Sequence, residues 1–253
     1  MTLQPAKDSW VDRFATESTP EGVTYDEVLL GGKEFPRSRS VAGILLGLLM
    51  FFTIAIGVAQ LVNSIGWMIL RPGGEYIDWL RANAAFDNPW GMLSAHLALA
   101  TLIPLGLALV LFVHRRRPGF LASVRPWFRW RYMGISMGLA LVVFNVFLFV
   151  QHLGQPFPAL QPQQNFWAFL VVILLTSPLQ AAAEEFFFRG YLLQAFHTLA
   201  PRSPWFGVVC SAALFALFHG TQNIPLFLDR FAFGVLVGVL VVLGATIFTV
   251  DQR

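Results

Sequence analysis

From Val41 to Leu70 the chain runs for thirty residues without a charged side chain. A helix rises about 1.5 Å per residue, so this run is long enough to cross the roughly 30 Å hydrocarbon core of a bilayer. Met92–Val113, Tyr132–Gln151 and Phe166–Phe196 also meet the requirement of about 20 apolar residues. Pro204–His219 is a shorter fifth run and Phe231–Val250 a sixth. Lipid offers the backbone no hydrogen-bond partners, so a spanning segment must be a helix or part of a closed barrel. Long unbroken apolar runs specify helices. The expected fold class is therefore all-α, a polytopic membrane bundle of about six or more transmembrane helices.

Composition excludes the alternatives. The chain is 56% hydrophobic and only 12% charged, with a mean hydropathy of +0.63, where a soluble domain carries about a quarter of its residues charged. A soluble enzyme and a disordered chain do not fit. The lone cysteine, Cys210, lies in an apolar run, which removes a disulfide framework and a thiolate cluster. The pI near 9.4 comes largely from Arg in the tail and loops, with no basic tract of the kind that binds nucleic acid.

Three regions follow from this pattern. Residues 1–40 are a polar tail, expected to be solvated and partly disordered, without the features of a signal peptide. Residues 41–160 hold the N-terminal transmembrane helices, and 161–253 hold the core that carries the chemistry below. The His114–Arg131 loop has six arginines and no acid, so the positive-inside rule puts it, and the N-terminal tail, on the cytoplasmic side of the plasma membrane. Asn145, within the third span, needs a partner on a neighbouring helix. His114 and His197 lie at span ends and read as interfacial, and Arg115–Arg117 as facing lipid headgroups.

The acids locate the site. Between Asp87 and Asp229 the only carboxylates are Glu184 and Glu185, both inside an apolar span. Acids at that depth are costly and mark functional positions. On a helix Glu185 and Arg189 are i, i+4 neighbours able to neutralise each other, and Glu184 points about 100° away. One reading is an ion network that fixes helix packing; the other is a general base or metal ligand tuned by its surroundings. If the next helix folds back near Pro201, Glu184 lies 17 residues before the turn and His219 18 after it, at nearly equal depth. A Glu and a His that meet there can polarise water or hold a metal.

Glu184-Glu185-x-x-x-Arg189 followed by Phe215-x-x-x-His219 resembles the first two motifs of the CPBP intramembrane proteases, the family of CAAX proteases and bacteriocin-processing and self-immunity proteins. The resemblance covers about Phe166–Gly244. It implies an intramembrane endopeptidase acting on a membrane-associated, CAAX-like peptide, with Glu184 and His219 activating the water. Glu185, Arg189 and Phe215 would organise the site. The implied partners are the lipid bilayer and a membrane-associated peptide or protein substrate. The cofactor is left open between Zn2+ held by Glu184 and His219 and a metal-free Glu/His pair. Family members also carry a late His followed four residues on by Asn, which holds the metal or stabilises the oxyanion. The sequence to Arg253 lacks it. A chain of this fold without activity, acting as scaffold or immunity protein, is therefore the alternative. His219-x-x-x-Asn223 fits the spacing but overlaps the second motif and reads as coincidence. His96, His152 and Asn145 are the other candidates to complete the site.

Other motifs carry less. Gly134-Ile-Ser136-Met-Gly138 has the serine-hydrolase spacing, but a nucleophile elbow needs strand–turn–helix, and this is an apolar helix. Its glycines, like Gly43/Gly47 and Gly234/Gly238, read as close-packing positions. No His-Glu-x-x-His is present. A transporter would show repeats or paired broken helices, and the sequence shows neither.

Overall fold

The computed structural model describes residues 23–30, 36–123, 130–155, 164–220 and 223–250. Among them all regular structure is helical. Helix α1 (Arg37–Leu70) is the first long span, and the short α2 (Tyr76–Ala84) follows it. Helix α3 (Pro89–Ala100) starts where Asn88 accepts hydrogen bonds from the Trp90 and Gly91 amides at 3.0 and 3.2 Å, with Pro89 at the first helical position. Its continuation α4 (Leu102–Ala108) is offset at Thr101. Pro104 cannot donate to the Ala100 carbonyl, which accounts for the break one turn earlier. A π-helical turn, Leu109–His114, ends that span.

Helix α5 (Trp130–Gln151) and helix α6 (Phe166–Glu184) come next. The latter passes without interruption into a π-helical segment, Glu185–Leu192, and then into α7 (Leu193–His197). Helices α8 (Pro204–Phe218) and α9 (Ile224–Val250) complete the described chain. Five stretches are long and apolar enough to cross a membrane: Arg37–Leu70, Pro89–His114, Met133–Gln151, Phe166–His197 and Ile224–Gly244. Trp205–Phe218 is a shorter apolar helix. The chain is an all-α membrane bundle, as its apolar runs require. The last span begins earlier than the sequence suggested, because Asn223 caps it by accepting from the Leu226 amide at 2.9 Å. Asn223 is thus a helix cap, and its spacing from His219 is incidental.

Helix α3 packs between α1 and α6, and α8 lies along α9. At the centre sits the π segment, whose Phe187, Phe188, Tyr191 and Leu192 are buried against Ile44, Leu102, Leu105 and Leu109. Gly43 makes this possible: a Cβ there would overlap the Tyr191 hydroxyl. His114, expected at the membrane interface, is instead buried, 3.1 Å from that hydroxyl through Nε2. Helix α5 is different. Each of its described side chains is exposed, and Gly134 and Gly138 have no neighbour within 4 Å, so they do not serve close packing within this chain. Asn145 donates to its own-helix Leu141 carbonyl at 2.8 Å instead of reaching another helix.

The tail also departs from expectation. Its residues 1–22 and 31–35 lie outside the described residues, but 23–30 are packed, not solvated. A 3-10 turn at Tyr25–Glu27 buries Tyr25, Val28 and Leu29 against the bundle. The Tyr25 hydroxyl donates to the Leu121 carbonyl at 2.6 Å, and burial pushes its pKa up, keeping it a neutral donor. Asp26 pairs with His197 at 3.1 Å, both nearly inaccessible, which overturns the interfacial reading of His197. Arg116 donates to the Val28 carbonyl at 3.1 Å and lies over Phe120, so it faces protein and not headgroups. Tyr25→Phe removes one buried hydrogen bond. It is expected to cost about 0.5–1.5 kcal/mol, read as a lower thermal midpoint in detergent.

Candidate active site

Glu184 is the last residue of α6 and Glu185 the first of the π segment. The two carboxylates take different partners. Glu184 Oε1 accepts from Gln180 Nε2 at 3.0 Å, one turn back on the same face. Glu185 Oε1 lies 3.2 Å from Arg189 Nη1 in the i, i+4 ion pair expected from the sequence. The pair is lopsided: the Arg189 side chain is 3% exposed and that of Glu185 45%. Glu185 therefore forms the accessible end and Arg189 the buried one.

Helix α8 folds back along this region. Phe215 meets Phe188 edge-on at 5.4 Å, and its ring lies 4.0 Å beneath the Arg189 guanidinium carbon. One turn later His219 caps α8, its ring 4.3 Å from that of Phe215. His219 Nδ1 is 2.8 Å from the Phe215 carbonyl. A carbonyl can only accept, so Nδ1 carries the proton and Nε2 is left as an acceptor. Arg230 of α9 donates to the His219 carbonyl at 2.6 Å and to that of Gly220 at 3.2 Å, satisfying the end of α8. Phe215 thus links Arg189 to His219. No hydrogen bond or ion pair joins Glu184 to His219.

A third element approaches from α3. His96 Nδ1 lies 2.7 Å from Thr176 Oγ1, and Thr176 donates in turn to Val172 O at 2.6 Å. Thr176 has spent its proton, so His96 Nδ1 donates and its Nε2 is the free acceptor. Thr176, Gln180 and Glu184 follow one another at four-residue spacing, one polar ladder down an apolar helix. Thr176, Gln180 and Arg230 were missed in the sequence. The ladder spacing could have revealed the first two; Arg230 gave no signal, since its partners are backbone carbonyls. Of the other candidates, Asn145 and His152 each lie near a carbonyl of their own helix, Leu141 and Leu148.

A metal would need several convergent donors. Among the described residues no three His, Cys, Asp or Glu side chains come together to hold one. Glu184 and His219 therefore have no third ligand there.

Residues 162–250 match the family model described as type II CAAX prenyl endopeptidase Rce1-like. The match spans about the last third of the chain, includes both motifs and bears out the resemblance to the CAAX-protease family. Neither a curated protein nor a solved structure matches the chain. The CAAX-protease-like segment runs from α6 to α9, so the family resemblance and the Glu184–His219 region coincide. It implies a CAAX-type intramembrane protease. The helices that supply Gly43, His96 and His114 lie outside the matched segment.

Proposed function

We propose that the chain is an intramembrane endopeptidase that hydrolyses a membrane-associated, CAAX-like peptide with a water activated between Glu184 and His219. One observation carries this reading: a carboxylate and an imidazole acceptor on packed neighbouring helices, each fixed by a bond to its own helix. Gln180 holds one Glu184 oxygen, and the carboxylate retains lone pairs for water. The Phe215 carbonyl sets His219 so that Nε2 faces outward from its own turn as the acceptor.

The chemistry then follows. Glu184 takes a proton as the water oxygen attacks the scissile carbonyl, and returns it to the leaving amine. His219 orients the water through Nε2. Glu185 holds Arg189 in place. Among the described residues Glu184 and His219 have no third ligand, and no step is routed through a metal; metal content of the purified protein, measured by plasma mass spectrometry, checks this independently. Orientation follows the charge: the N-terminal tail and the Arg-rich 114–131 loop face the cytoplasm. The partners are lipid and the substrate chain.

The test uses purified full-length protein in detergent with peptides ending in a CAAX-like sequence, with and without a prenyl group. Mass spectrometry is expected to show release of a short C-terminal fragment. Intact folding with no cleavage of any peptide would sink the endopeptidase reading and leave a scaffold or immunity role for the fold.

A further inference from the structure

Arg189 has more hydrogen-bonding capacity than its surroundings use. Its side chain is 3% exposed, yet Nη1 and Nη2 are buried without a hydrogen-bond partner. The 3.2 Å approach of Nη1 to Glu185 supplies charge without the alignment of a directed bond. Phe215 and Phe233, 4.0 and 5.8 Å from the guanidinium carbon, cover the cation. Rings solvate its charge but accept nothing from its in-plane N–H groups. A buried donor without an acceptor is costly, and native structures keep one where a role requires it.

The backbone aims this group at the reaction. Arg189 follows Glu184 by five residues. In an α-helix that spacing is 500°, or 140° away around the axis. The π segment closes i→i+5 turns, which brings the fifth residue back toward the same side. Phe215, the ring beneath Arg189, also packs on His219. Through Phe215 the unused donors are thus linked to His219, and through the π segment to Glu184.

We infer that Arg189 is a catalytic residue whose Nη groups donate to the oxyanion of the tetrahedral intermediate. The inference rests on the endopeptidase reading. In the first step the water oxygen bonds to the carbonyl carbon, the C=O pair moves onto oxygen, and the proton goes to Glu184. One negative charge thus leaves Glu184 and appears on the oxyanion. Arg189, always protonated, faces the new charge with a rigid fork of donors. In the second step the C=O re-forms, the C–N bond breaks, and the amine takes the proton back from Glu184. Donors aimed at developing charge are the usual means of stabilising such an intermediate.

The experiment compares wild type with Arg189→Lys as full-length protein in detergent with chelator present. Two ligands of the same peptide sequence are measured: an anionic phosphinate isostere of the intermediate and a neutral, uncleavable ground-state analogue. Wild type is expected to prefer the phosphinate. Arg189→Lys is expected to lower kcat by about 10²–10³-fold, with KM and neutral-analogue affinity little changed and phosphinate affinity reduced in the same proportion as kcat. Unchanged kcat per folded molecule and unchanged phosphinate affinity would overturn the assignment. So would a rise in KM confined to peptides with a free C-terminal carboxylate, which would make Arg189 a substrate anchor. If the variant does not fold, the wild-type preference alone decides, and its absence in an enzyme that cleaves sinks this inference only. Wild type that neither cleaves nor binds the phosphinate sinks the endopeptidase reading with it.

Discussion

Glu184→Gln is expected to slow peptide cleavage by about 10²–10⁴-fold, the usual contribution of a positioned general base, with no loss of thermal stability. The substitution keeps shape and volume. Its amide oxygen still accepts from Gln180 Nε2, as the carboxylate does. What disappears is the ability to hold the proton taken from water. Glu185→Gln should differ. It leaves Arg189 buried beside a neutral partner, so thermal stability falls as well as activity per folded molecule. His219→Gln tests the other half of the pair. If the two groups act on one water, the double variant loses little more than either single one, because residues acting as a unit are strongly non-additive. Equal activity of Glu184→Gln and wild type, per folded molecule, would remove Glu184 from the mechanism.

The second large effect is structural. Gly207, in α8, lies against the chain where α7 ends. A Cβ there would come well within 3.0 Å of the Leu193 backbone carbonyl oxygen and 3.2 Å from the His197 backbone nitrogen. Neither neighbour is the flexible end of a side chain. Alanine would add helix propensity worth up to about 1 kcal/mol. The overlap would cost about 1–3 kcal/mol or more, because whole helices must separate to relieve it. Gly207→Ala is expected to lower the thermal midpoint in detergent and to reduce activity by displacing Phe215 and His219. Gly57→Ala, in α1 with nothing within 4 Å, is the control and should be neutral or mildly stabilising. A Gly207→Ala midpoint equal to that of Gly57→Ala would show that α8 does not depend on this contact.

What the sequence disclosed follows the range of the interaction involved. The spans were legible because a bilayer imposes its demand on each apolar run separately. The Glu185–Arg189 pair was legible because it lies within one helical turn. His114 and His197 were misread as interfacial because their partners, Tyr191 and Asp26, are 77 and 171 positions away. No local pattern encodes such meetings. Asn145 failed in the other direction: it found a carbonyl four residues back instead of a neighbouring helix. The π segment was invisible for a different reason. A hydrophobic pattern read at 3.6 residues per turn cannot reveal one turn that closes on five, and the direction of Arg189 depends on that turn.

The buried 23–30 segment bears on how the matched third can be handled experimentally. Leu29, Ile44, Leu102 and Leu105 belong to the same apolar cluster as Phe187, Tyr191 and Phe215. A fragment starting at residue 162 would carry both motifs, but it would face solvent or detergent where those four side chains should be. Its Tyr191 hydroxyl would lose His114, and His197 would lose Asp26. Grafting α6 through α9 onto another membrane scaffold would therefore transfer Glu184 and His219 without the surroundings that orient them. For this chain the segment that matches the family model is smaller than the unit that packs together.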